Sequence, residues 1–382
     1  MNVLLASSSS GSRGGGEIYL QYLGRALAQR GHDVTLWCSS HSRMDELATT
    51  FEEFGRVVRA PYRNTYAYRT RLLRPALSPI LPRRIAGQWA EIESDIIHVN
   101  KQNLEDGLDL IRATAHVQTP ALATIHITQS GSFLNAQFAG LRDVLSRWVL
   151  KRFEGPYVAV QERRREELSA FLDGEHDVRT VNNGVPLPER DSFSGDSSAI
   201  RREYGISKGA LLVVGVGRLE PQKRPHRFLE VAEKIYAGVP SARFLWVGDG
   251  PMRGEWEERV EKNDLADIVQ CVGWQEDVNP FLAAADAFLH VAEFEGLPLA
   301  LIEAMAAELP CMIPQSLLDD FEVLDDQHML VVDNEKPLLQ ALREPSGMKA
   351  VAQRGRRLVE EKLSVEHMVQ QYETLYREAR QA

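Results

Sequence analysis

Short apolar runs recur along the chain, separated by stretches long enough for amphipathic helices. In the first half they are VLLA (3–6), VTLW (34–37), DIIHVN (95–100), ALATIHI (121–127), YVAV (157–160) and VRTV (178–181). In the second half they are LLVVGVG (211–217), ARFLWVG (242–248), IVQCVG (268–273), AFLHVA (287–292), PCMIP (310–314) and MLVV (329–332). Runs without in–out alternation, rich in Val, Ile, Leu and aromatics, suit parallel strands buried on both faces. Between them lie helical patterns such as IYLQYLGRALAQRGH (18–32), with Ile18, Leu20, Leu23 and Leu27 periodic and Gly31 as a stop. Strand–helix alternation predicts an α/β fold of doubly wound, Rossmann-like layers.

The pattern restarts at residue 211. The segment before it, NNGVPLPERDSFSGDSSAI (182–200), is rich in Pro, Gly, Ser and Asp and reads as a link. Two domains follow, residues 1–185 and 186–363. The final segment SVEHMVQQYETLYREAR (364–380) carries Val365, Met368, Val369, Tyr372, Leu375, Tyr376 and Ala379 on one helical face, which must pack on something.

Composition narrows the functional classes. The chain has 382 residues and a net charge of −10, so binding nucleic acid through general phosphate neutralisation is a poor starting idea. Cys38, Cys271 and Cys311 are far apart and form no CxxC, which fits a reducing compartment and no cysteine-based metal site. The start, MNVLLASSSSGSRGGGE, is too short in its apolar run for a signal peptide, and no run approaches a membrane span. The expectation is a cytoplasmic protein. One local excess stands out: RAPYRNTYAYRTRLLRPALSPILPRRIAGQW (59–89) holds Arg59, Arg63, Arg69, Arg71, Arg74, Arg83 and Arg84 among tyrosines, leucines and prolines. It could be a solvated surface, meet a phosphorylated acceptor, or touch an anionic membrane peripherally at the inner face.

Candidate chemistry sits in the loops that follow strands. SSSSGSRGGGE (7–17) puts glycines between a strand and a helix, where backbone N–H groups can approach a phosphate. It is not GxGxxG, and the second strand ends LWCSS without the acidic residue a nicotinamide dinucleotide needs. VGVGRLEPQKRPHRF (214–228) places Arg218 and Lys223 past a strand end, where two cations can neutralise a diphosphate without a metal; a solvated basic loop is the plainer reading.

In EFEGLPLALIEAM (293–305), Pro298 suits a first helical turn, and the amides of Leu299 and Ala300, after the Gly296–Leu297 turn, form a second anion site. Glu303 falls in a helix that is apolar nearly all round and needs a hydrogen-bonding partner: a ligand hydroxyl, a basic side chain, or water at the helix edge. Glu295 and Glu303 could instead be a glycosidase pair. One lies in a turn and the other further down a helix running away, with phosphate-binding features around the first. That favours gripping a ligand over acid–base work. His126 ends a strand of the first half and is a weaker candidate; His98 reads as structural and His290 as core.

With these residues in place the sequence resembles the retaining glycosyltransferases of family 4, which have the GT-B fold. EGLPLALIEAMA (295–306) resembles that family's motif of two glutamates seven residues apart, and VVGVGRLEPQKRP its glycine–arginine…lysine segment. FLWVGDGPMR (244–253) and DIVQCVGWQEDVNPFLAAADAFL (267–289) match the segments that precede the motif. The resemblance implies two Rossmann-like domains facing across a cleft, the first for the acceptor and the second for a nucleotide-sugar donor, with the terminal helix 364–382 crossing back to the first. By the resemblance, Arg218 and Lys223 would hold the donor diphosphate and Glu303 the ribose hydroxyls. Glu295 would hold the sugar, with the amides of Gly296, Leu297 and Leu299 on sugar and phosphate, and Val272 would read the base through its backbone. Gly15 and Gly16 would approach the phosphate and His126 the sugar. The implied activity is retaining, metal-independent sugar transfer from a nucleotide-diphosphate-sugar, UDP or GDP, to a hydroxyl of a glycan, lipid-linked or small-molecule acceptor. No bound cofactor is implied. A nucleotide-sugar epimerase of similar architecture and a non-catalytic sugar-nucleotide binder are the alternatives. Three positions depart from the family's pattern: Glu308 stands where Gly is common, PQSLLDDFEVL (314–324) replaces a Gly-Gly turn, and Pro186 stands where Asp often follows Asn-Gly-Val.

Overall fold

Each apolar run becomes a strand. The computed structural model describes residues 1–11, 14–68, 72–134, 137–188 and 197–381. Its strands are β1 (Asn2–Ser7), β2 (Asp33–Ser39), β3 (Arg56–Ala60), β4 (Ile96–Asn103), β5 (Ala121–Ile127), β6 (Tyr157–Ala159) and β7 (Val178–Thr180), then β8 (Leu212–Val216), β9 (Arg243–Val247), β10 (Val269–Gly273), β11 (Ala287–Leu289), β12 (Cys311–Ile313) and β13 (Met329–Val331). They form a seven-stranded sheet ordered β3-β2-β1-β4-β5-β6-β7 and a six-stranded sheet ordered β10-β9-β8-β11-β12-β13. Neighbouring strands run parallel, as continuous apolar strands require when helices cover both faces. The sequence pattern missed β3. Its RVVRA places only Ala60 in the buried class, because an edge strand needs one neighbour and carries arginines where a central strand would carry valines.

Two compact units result, Met1–Asn183 with Val365–Ala382, and Gly184–Ser364. Each has its own core. In the first, Trp37 packs edge-on against Tyr62 and Trp89; in the second, Phe228 does so against Phe244 and Trp246. Such aromatics each remove a large apolar surface from water, on the order of 1.5–3 kcal/mol per buried side chain.

The terminal helix Val365–Ala379 lies on the first unit's sheet and on helix Gly15–Gln29. Polar contacts fix it. Tyr376 Oη meets His98 Nδ1 at 2.8 Å and Tyr372 Oη meets Thr124 Oγ1 at 2.8 Å, both inside the core. At the rim, Arg30 forks onto Glu373, with Nε at 2.7 Å and Nη2 at 2.9 Å. His98 is therefore structural, as read from the sequence.

In each sheet the order reverses beside the first strand, between β1 and β4 and between β8 and β11. Loops leaving the carboxyl ends of those strands open onto such a switch point, the usual ligand position in open α/β sheets. Gly248, at the end of β9, makes one of these ends possible. A Cβ there would lie 2.0 Å from Gly217 O, and its φ of +140° suits glycine alone. The close approach sets where the chain leaves β8 toward Arg218.

Candidate active site

In the second unit, the loop after β8 is stapled to the loop after β11. Gln222 Nε2 donates to Phe294 O at 3.0 Å, and Glu293 N donates to Gln222 O at 2.8 Å. Arg224 pairs with Glu293 at 3.0 Å. These contacts carry the single 3-10 turn Pro221–Lys223 onto residues 293–295, and the Lys223 ammonium donates to the Glu295 carboxylate. Glu295 is 6% exposed. Burial alone would push its carboxyl up, but the Lys223 charge and a contact from His290 outweigh that and hold it at about 2. It is ionised at neutral pH and has no proton to give, which removes the general-acid role a glycosidase needs from one of its two carboxyls.

His290 has a contact that the sequence reading did not give it. The sequence placed it in the core; it is buried, at 4% exposure, but its Nε2 lies 3.4 Å from Glu295 Oε1. Burial lowers its pKa, and the Glu295 carboxylate pulls the other way. The apolar strand around it hid the role. The available signal was position, one residue past β11 and five before a glutamate in a turn.

Helix Leu299–Ala306 begins as expected, except that Pro298 is the residue that caps it and Leu299 the first within it. Leu301 and Ile302 N–H groups both return to Pro298 O, so those of Leu299 and Ala300 lie ahead of the helix's own ladder. Gly296 and Leu297 form the buried turn before it. Glu303 is half-buried, at the edge of a helix whose Leu301, Ile302, Ala304, Met305 and Ala306 are all buried. Arg218 is not gathered into the Lys223–Glu295 group; it is exposed and pairs with Glu220 at 2.6 Å. Val272 falls at a register shift, where the β9 pairing passes from Cys271 to Gly273 and skips it.

In the first unit, three residues from three elements meet. Asn100 Nδ2, from β4, donates to Gly16 O at 3.3 Å, and Asn100 Oδ1 lies 2.7 Å from His126 Nε2. An amide oxygen only accepts, so His126 carries its proton on Nε2. Burial lowers the His126 pKa to about 4, leaving the ring neutral, with Tyr19 edge-on at 4.7 Å. The two glycines differ. A Cβ on Gly16 would collide with the Gln102 side chain, while one on Gly15 would meet nothing within 4 Å.

The sequence reading passed over a further polar group beside them. Lys101 is fully buried and donates to Asp106 O, and Ser8 Oγ donates to Asp106 Oδ2. Burial pulls Lys101 down to about 8 and pushes Asp109 up to about 7, the Asp106 charge adding to the latter. The signal was a lysine directly after the apolar run DIIHVN and acids at 105, 106 and 109.

Among the described residues no group of three or more His, Cys, Asp or Glu is placed to hold a metal ion, and no helix is long and apolar enough to cross a membrane.

Two family models match the chain, Glycosyltransferase Family 4 over residues 13–188 and Glycosyl transferases group 1 over residues 196–316. Among curated proteins it is 28% identical over 228 residues to N-acetyl-alpha-D-glucosaminyl L-malate synthase of Bacillus anthracis, covering 57% of this chain and 58% of that one. It is 30% identical over 139 residues to UDP-Gal:alpha-D-GlcNAc-diphosphoundecaprenol alpha-1,3-galactosyltransferase of Escherichia coli, covering 36% of each. The chain thus spans between about a third and three fifths of these relatives' lengths. Among solved structures, sucrose-phosphate synthase from Thermosynechococcus elongatus superposes with a TM-score of 0.76 at 20% identity, over 99% of this chain and 98% of that one. Anabaena HepE in complex with UDP-glucose gives 0.75 at 17%, over 98% and 99%. These likenesses show the fold, two Rossmann-like units of the GT-B kind. With matching models in both units and the glutamate motif in the second, the chain belongs to the group 1 and family 4 glycosyltransferases.

Proposed function

We propose that this protein transfers a sugar from a nucleotide-diphosphate-sugar to a hydroxyl acceptor, with retention at the anomeric carbon and without a bound metal. The observation that carries the reading is the Lys223–Glu295 pair, beside the first amides of helix Leu299–Ala306 at the sheet's switch point. A carboxylate held near pKa 2 accepts hydrogen bonds from sugar hydroxyls and orients the ring. Lys223, Arg218 and the helix amides offer positive charge to the departing diphosphate. Arg218 would leave Glu220 to do so, a small cost for an exposed pair. Glu303 would take the ribose hydroxyls and the Val272 backbone the base; Gly15 and Gly16 would approach a phosphate and His126 a sugar, as the family resemblance implies.

In the reaction the bond from the anomeric carbon to the diphosphate oxygen breaks and a bond to the acceptor oxygen forms on the same face. The acceptor proton passes to a phosphate oxygen of the leaving group, giving the nucleoside diphosphate and the glycoside. No side chain need donate a proton, in keeping with a Glu295 that stays ionised and a His126 that stays neutral. UDP-sugars are the first donors to try, since the HepE neighbour is a UDP-glucose complex and the Escherichia coli relative is named for UDP-Gal.

The test is nucleotide release from a panel of UDP- and GDP-sugars, with the anomer of any product assigned by NMR coupling. Lys223→Met and Glu295→Gln should each lower turnover about 10²–10³-fold, the scale of removing one charge-stabilising contact, while far-UV circular dichroism stays that of wild type. Wild-type turnover by both variants would remove the site assignment; product of inverted configuration would remove the retaining step.

A further inference from the structure

Among the described residues, most of the large apolar side chains left exposed belong to the first unit. Helix Ala139–Leu150 buries Ser146, Val149 and Leu150, yet it also shows Leu141, Val144 and Trp148 to solvent, with Phe138 just ahead of it at 82% exposure. Their spacing of three and four residues puts them on one face. Helix Leu73–Leu77 packs beside this helix and exposes Leu77, and Ile80, opening the next helix, is 71% exposed. A monomeric surface rarely gathers so many apolar side chains without a use for them.

The charge around them has one dominant sign. Residues 59–89 contain seven arginines and no acidic residue, in a chain of net charge −10. Arg69 and Arg71 fall outside the described residues. Arg59 is occupied locally, pairing with Asp45 at 2.8 Å. Arg63, Arg74, Arg83 and Arg84 are exposed, and Arg63, Arg74 and Arg84 all act electrostatically on Tyr68, so three elements bring their charges together. Just past the end of the neighbouring helix Ala139–Leu150, Arg152 lies over the Trp148 ring at 4.1 Å, while Arg147 on the helix and Lys151 after it are partly neutralised by Asp173.

We propose that this face seats the protein peripherally on an anionic lipid surface. Apolar side chains with an amphipathic Trp would enter the acyl boundary and the arginines would meet the phosphates, the composition of an interfacial helix. A second copy of the chain fits less well, because a face-to-face pair would oppose arginines to arginines. The inference rests on the surface alone and holds whether or not the protein transfers sugar.

The test is co-sedimentation of the full chain with phosphatidylcholine vesicles, with and without phosphatidylglycerol. Binding should require the anionic lipid and weaken as salt rises. Arg74→Gln/Arg83→Gln/Arg84→Gln should weaken it about a hundredfold, since each basic residue near such a surface contributes roughly fivefold. Leu141→Ser/Val144→Ser should weaken it by about tenfold or more. All five positions are exposed, so circular dichroism and melting temperature should not move. The proposal fails if anionic vesicles do not sediment the protein, if neutral vesicles do so equally well, or if both variants bind like wild type. It also fails if sedimentation equilibrium shows a dimer that Leu141→Ser/Val144→Ser splits, which would assign the face to a second copy.

Discussion

Burial and neighbouring charge pull in opposite directions on what Glu295 can do. Its burial favours the neutral acid, while Lys223 and His290 favour the carboxylate, and the second pair of influences wins by enough to hold the group near 2. A glutamate with only the first influence would be a proton donor at neutral pH; with the second it is a fixed acceptor. The glycine pair in the first unit poses a similar either-or question. At Gly16 the amide end of the Gln102 side chain occupies the space of a Cβ and would have to swing aside to admit one. Gly15 has open space at that point, so packing gives no reason for it. If a phosphate approaches the backbone there, Gly15→Ala should lower kcat/KM about 10–100-fold, the effect of a displacement near 1 Å at a reacting group. The melting temperature should hold, since alanine suits a first helical position. Unchanged kinetics in the folded variant would mean no ligand approaches Gly15.

The end of helix Leu299–Ala306 shows how an element accommodates an unfavourable residue. Glu308 N donates to Met305 O at 3.0 Å and Leu309 N to Ala304 O at 3.0 Å, the paired bonds of a Schellman stop. That stop needs a left-handed residue, and Glu308 adopts φ 57°. Glycine occupies such a position without steric cost. Glu308→Gly should therefore raise stability by about 0.5–1 kcal/mol, the left-handed penalty less the entropy glycine adds to the unfolded chain; urea unfolding would show it, and a destabilised variant would mean the Glu308 side chain holds something the backbone argument omits. The following segment departs as well, forming the short helix Gln315–Leu318 over a buried Phe321. These elements also show what the sequence made legible. Strands buried on both faces announce themselves as apolar runs, and the loops after β8 and β11 were readable because glycine, proline and charge interrupt those runs. Edge strand β3 was hidden by its arginines. The pairing of Lys223 with Glu295, 72 residues apart, depends on two loops stapled by backbone contacts that no local pattern encodes. His290 was rightly read as buried, but its contact with Glu295 was missed, because a buried histidine in an apolar run looks the same from sequence whether or not a carboxylate waits beside it.

Acid should act differently on the two units. In the second, Glu295 has a depressed folded pKa, so its contribution is fully present above the ordinary value of 4.5 and is lost as pH falls toward 2. It is silent between pH 8 and 5. In the first unit, burial lowers His98 to about 3 and His126 to about 4, so the unfolded chain takes up protons first and stability falls as pH drops below 6.5. Asp109 works in the opposite direction. Raised to about 7, it contributes stability below its ordinary 3.8 that is lost as pH rises through 7, so acidification from pH 8 returns what its buried charge takes away. The first unit therefore holds opposing groups, and removing one should expose the other. Asp109→Asn abolishes the acidic gain while keeping the side chain's shape. Relative to wild type, the variant should be favoured by about 1 kcal/mol or more at pH 8, with the advantage shrinking toward pH 5 and flat below about 4. The tryptophans allow this to be read unit by unit, since Trp37, Trp89 and Trp148 belong to the first and Trp246, Trp256 and Trp274 to the second. Urea unfolding of chains keeping one trio, the other replaced by phenylalanine, should show the pH-dependent difference in the first unit's transition and none in the second's. A difference independent of pH would mean that Asp109 titrates as an ordinary carboxylate and that its burial carries no electrostatic cost.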